Sequence, residues 1–82
     1  MRVEDVDEAV AVGAVFRGSR IIPRWFVWGR TKREIKAVNM VWRGKEGEAL
    51  LRYFSVSAEG NTYQLRLNQK TMEWRLEKVL AE

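Results

Sequence analysis

Between positions 20 and 33 the chain sets one indole, Trp25, among five cations: Arg20, Arg24, Arg30, Lys32 and Arg33. An aromatic ring bordered by positive charge is the chemistry by which small β domains hold single-stranded nucleic acid. Bases stack on the ring and phosphates meet the cations, each stacked base contributing about 1–3 kcal/mol. If Phe26 and Trp28 face a core, strand alternation turns Trp25 to the opposite side and makes it the stacking platform. The same residues have a plainer reading. Trp25 would cover the second side of a bent strand, packed beneath the acidic N-terminal segment, and the basic residues would form a solvated face.

Catalytic chemistry has little to work with. The chain contains neither His nor Cys, which removes the imidazole base, the thiol nucleophile and the usual zinc ligands. Acid–base work would then fall to Asp, Glu, Lys or Tyr. Glu34 is the only acid in residues 11–45, and it stands between Arg33 and Lys36, a setting that favours the ionised carboxylate over a proton donor. The run Arg43-Gly44-Lys45-Glu46-Gly47 lacks the spacing of a phosphate-binding loop. Glu4, Asp5, Asp7 and Glu8 are a loose divalent-ion set at best and read as an exposed acidic tail. The expectation is a non-enzyme with no catalytic residue, cofactor or metal.

Charge is segregated along the chain. Residues 1–10 carry Arg2 against four acids; residues 11–45 carry nine basic residues against Glu34; the remainder is nearly balanced. A basic field of this kind attracts polyanions or an acidic protein surface. The expected partners are therefore DNA or RNA, with a second copy or another protein as the alternative, and no membrane. The acidic head could also fold over the basic half and compete with a polyanion. The opening MRVEDVDEAV lacks the basic-then-apolar order of a secretory signal, so the expected setting is cytoplasmic.

These side chains need a scaffold, and the pattern is that of short strands. β-branched and aromatic residues run from 10 to 16, 21 to 28, 32 to 42, 50 to 57, 62 to 68 and 72 to about 80, separated by Gly- or Asn-bearing turns. Tyr63, Leu65 and Leu67 alternate with polar neighbours, as do Met72, Trp74 and Leu76. The last run also fits a helix through Met72, Leu76 and Val79; a strand is expected through about Leu76, with a turn into helix after it left open. Pro23 predicts an edge or a bulge, and the slipped parity near Ala37 and Val38 predicts another bulge. The fold class is all-β: a small antiparallel barrel-like meander of about six strands, of SH3 or OB size, over residues 11–82. Residues 1–10 are expected as a tail or a short helix with Val3, Val6 and Val10 on one stripe. The expected core includes Val15, Phe16, Phe26, Trp28, Met40, Trp42, Leu50, Phe54, Val56, Tyr63, Leu65, Leu67, Met72, Trp74 and Leu76.

Pro23, Phe26, Trp28, Arg30, Val38, Trp42, Arg52, Tyr53 or Phe54, Tyr63, Leu65, Trp74, Leu76 and Val79 together resemble a small bacterial domain family. Its pattern opens Pro-x-x-Phe-x-Trp and closes Trp-x-Leu-x-x-Val. The likeness spans roughly residues 15–80, and it departs where Arg33 stands in place of a Tyr and where a Trp pair after the third strand is missing. Such domains are similar to pieces found beside relatives of error-prone DNA polymerases. The resemblance implies an accessory role in DNA transactions.

Overall fold

The computed structural model describes residues 2–81, and every element in it is a strand: β1 Arg2–Arg17, β2 Arg20–Trp28, β3 Thr31–Glu34, β4 Ala37–Glu46, β5 Ala49–Ala58, β6 Asn61–Asn68 and β7 Glu73–Ala81. All pairings are antiparallel, in the order β3-β2-β1-β7-β6-β5-β4. The connections explain this. Gly29-Arg30 and Glu59-Gly60 are two-residue turns with positive φ at both positions (59° and 70°, 51° and 80°), the conformation whose twist matches the flanking strands.

The sheet curls because two strand runs each serve two neighbours. β1 pairs with β7 over Arg2–Val10 and with β2 over Ala11–Arg17. Its irregularities fall at Asp7, held at φ 51°, and opposite Arg24, an extra β2 residue between the Gly13–Trp25 and Ala14–Pro23 pairs. At the other end, β3 pairs with β2 and β4 with β5. Only Ile35 and Lys36 separate them, their N–H groups donating to Arg24 O at 2.9 Å and Ser57 O at 2.8 Å. The first and last strands of the order are thus consecutive segments of one run. Beyond that corner β2 and β4 diverge, and among the described residues no ladder joins Arg20–Pro23 to β4.

Inside the curl lie Phe26, Phe54, Val56, Tyr63, Leu65, Leu67, Trp74, Leu76 and Val79. Tyr63 and Phe26 pack edge to face (centroids 4.9 Å apart), and Phe54 meets Trp74 at 5.4 Å.

Three expectations are corrected. Residues 2–10 form neither tail nor helix; they are the first half of β1, paired to β7, with Val6 and Val10 packed on the core. The third expected run is two strands, which raises the number to seven. The slip beyond Val38 places Asn39 in a bulge and turns Met40 and Trp42 outward, leaving Met40 62% exposed. Val15, Phe16, Leu50 and Met72 are likewise exposed, at hairpin ends or on the outer face. β7 stays extended through Ala81.

Candidate nucleic-acid interface

Trp25 lies on the outer face. It neighbours fully buried Phe26 in sequence and pairs with Gly13 on one side and Glu34 on the other. It is half-buried and does not belong to the core cluster. What shelters it is Gly13: a Cβ built there would lie 2.1 Å from the indole Cε2, so the ring rests directly on bare backbone. Lys32 Nζ stands 4.9 Å from the ring centroid and 3.4 Å from Glu34 Oε1. This is a cation–π arrangement on a side chain that remains more than half exposed. Arg24, exposed at the bulge next to Trp25, meets no carboxylate within 4 Å among the described residues.

The other expected site residues disperse. Arg20 opens β2 and Arg30 sits in the turn beyond its other end, with a strand of about 26 Å between them at ~3.3 Å per residue. Arg33 pairs with Phe26 and so shares its inward parity. Its guanidinium lies 5.0 Å from the Trp28 ring and 5.9 Å from that of Tyr63, and Nη1 donates to Glu59 Oε1 at 2.6 Å. Arg33 is therefore a packed, ion-paired member of the far side and leaves the proposed patch. Trp25, Arg24 and Lys32 come together; Arg20 lies at the far end of β2 beside Arg43 and Arg52, and Arg30 in the turn at its other end.

Two features escaped sequence reasoning. Trp42 and Tyr53 stack on the outer face of β4–β5, 5.3 Å apart and 4° from parallel, with Tyr53 lying over Gly44 much as Trp25 lies over Gly13. The second is a pair of opposed arginines, Arg43 and Arg52, in direct register across β4–β5. A two-residue turn at Gly47-Glu48 fixes that pairing, so the signal was present in the hairpin arithmetic.

The acidic head does not meet the basic half. Asp7 Oδ1 accepts from Arg75 Nε at 3.0 Å, and this hydrogen bond, with Asp7, Glu73 and Glu77 nearby, raises the Arg75 pKa further above its ordinary value. Among the described residues no ion pair joins the head to residues 11–45. Neither does any group of three acids converge there as a metal site. No helix of the described residues is long and apolar enough to cross a membrane. Comparison with protein-family models, with curated proteins and with solved structures gives no match in any of the three.

Proposed function

We propose that this domain is a non-catalytic nucleic-acid-binding module that takes single strands across the outer face of β1–β2–β3. Trp25 is the stacking platform, Arg24 and Lys32 contact adjacent phosphates, and Arg20 and Arg30 extend the track in either direction. The observation that carries the reading is the position of Trp25: outside the core, propped on Gly13, with an exposed lysine side chain over its ring. An incoming base can take the place of the Lys32 ammonium, which is then released toward the phosphate. The cytoplasm is the setting this proposal assigns, and the likeness to domains beside error-prone polymerase relatives points the same way.

The test is a titration of labelled oligo(dT) and of duplex DNA, followed by tryptophan fluorescence at several salt concentrations. Single strands should quench the signal, and affinity should fall steeply with salt as counterions are displaced. Trp25→Ala should weaken single-strand binding by about 5- to 150-fold, the equivalent of the ~1–3 kcal/mol of one stacked base. Arg33→Gln should leave binding unchanged. A folded Trp25→Ala variant that binds oligo(dT) as the parent does would refute the proposal.

A further inference from the structure

Opposed like charges strain a sheet unless something neutralises them. Two arginine pairs show the contrast. Arg66 faces Arg75 across β6–β7, and both are answered: Arg66 by Glu77 at 3.3 Å, Arg75 by Asp7 at 3.0 Å and Glu73 at 3.8 Å. Arg43 faces Arg52 across β4–β5, and among the described residues neither has a carboxylate within 4 Å. Arg17 faces Arg20 at the β1–β2 turn in the same condition. Arg52 Nη1 donates to Ser19 O at 3.1 Å, drawing the two clusters together, and its Nε is buried without a partner. Sequence-level conflict left uncompensated is expected at functional or strained sites.

Arg20, Arg43 and Arg52 converge on the wedge where β2 and β4 part, a cleft of about 340 Å³ floored by aliphatic side chains including Ile21, Ile22 and Val41. No aromatic residue lines it, so it offers a base nothing to stack on. It offers instead two strand edges without ladder partners, Arg20–Pro23 of β2 and the outer edge of β4. We propose that this wedge docks an extended acidic segment of a partner protein as an added strand. Backbone groups pair with the open edge, alternate aliphatic side chains enter the cleft beside Ile21 and Val41, and the intervening carboxylates meet Arg20 and the exposed guanidinium of Arg43 at the cleft mouth. Strand addition of this kind draws affinity from the main chain and selectivity from alternate side chains. The proposal shares Arg20 with the Trp25 track but does not use Trp25, Arg24 or Lys32.

The probe is a blocked heptapeptide alternating Asp or Glu with Val or Ile, labelled for fluorescence anisotropy. Binding should weaken at least tenfold in Arg20→Glu and in Arg43→Glu, both exposed positions, and stay unchanged in Trp25→Ala. Peptides methylated on either alternate set of backbone nitrogens separate strand pairing from charge: one set should lose binding. Bound peptide should also slow amide hydrogen exchange within Asn39–Glu46 in the unaltered protein, a readout that needs no variant. The proposal fails if the peptide does not bind, if both methylated peptides bind fully, or if neither charge reversal matters. It fails equally if oligo(dT) at matched charge displaces the peptide from the Trp25→Ala variant, where the stacking platform is gone, which would make the wedge a general polyanion surface. Light scattering that showed a stable dimer with Asn39–Glu46 already protected would assign the wedge to a second copy and overturn it as well.

Discussion

Gly13 and Trp25 act as one unit. The glycine is required not by its backbone angle but by the indole lying against it, where any Cβ would overlap ring atoms at 2.1–2.5 Å. Gly13→Ala must lift the ring off β1 or shift the strand. Overpacking of this size costs typically about 1–3 kcal/mol. For a domain of this length each kcal/mol lowers the thermal midpoint by about 4–8 °C. The expected result is a lower midpoint by calorimetry, together with altered tryptophan emission as the ring is displaced. An unchanged midpoint would mean that the indole does not rest on Gly13. Lys32 sits over the same ring without locking it, because its ammonium is exposed and shared with Glu34. Arg33, two positions before Ile35 and chemically identical to Arg24, has the opposite fate, since parity turns it inward onto Trp28, Tyr63 and Glu59.

At the scale of strands, what could be read from sequence depended on whether the register was regular. β6 pairs without interruption along β5, so the alternation of Tyr63, Leu65 and Leu67 reports its buried face directly. β7 carries an extra residue between Leu76 and Lys78 relative to β6, which puts the next buried side chain at Val79. One inserted residue turns a spacing of two into three, and three is the spacing of a helix. The same physics hid β1. Val6, Val10, Val12 and Ala14 reach the core at even positions, but exposed Glu8 occupies the intervening one, and the Asp7 irregularity lies beside it. Past Asn39, a bulge anticipated near Val38 reverses the faces, which is why Met40 and Trp42 point outward. For the site, the indole's outward parity was legible, whereas Arg33's inward one was not, because it depends on β3 pairing with β2. The strand reading of β1 has a direct consequence. Removing residues 1–8 strips β7 of its neighbour along most of its length and removes Val6 from the core and Asp7 from Arg75. Urea unfolding should show a loss of at least about 2 kcal/mol, from one valine and several ladder hydrogen bonds. A disordered head would leave the midpoint unchanged.

Over the whole molecule, charge is balanced on one side and left open on the other. The β1–β7–β6 side carries the ion pairs of Asp7, Glu73 and Glu77 with Arg66 and Arg75, while the β2–β4 side gathers Arg17, Arg20, Arg43 and Arg52 without a counterpart among the described residues. Self-repulsion concentrated in this way lowers stability, and dissolved salt relieves it, since the screening length falls to about 10 Å at 0.1 M. Each opposed pair carries about 0.2–1 kcal/mol of strain. Raising sodium chloride from 10 to 300 mM (concentrations chosen to span roughly 30 to 6 Å of screening) should therefore raise the thermal midpoint by a few degrees. The ion pairs on the opposite side work against this trend, but exposed pairs contribute only about 0–1 kcal/mol and weaken modestly. Arg43→Glu discriminates between the two sides, because it replaces a repulsion opposite Arg52 with an attraction. That variant should be more stable than the parent at low salt and should lose most of the salt-induced gain. A parent midpoint that falls as salt is added would show that the paired side dominates. The repulsion within the arginine cluster would then be smaller than what the ion pairs contribute, leaving an acidic partner little to relieve.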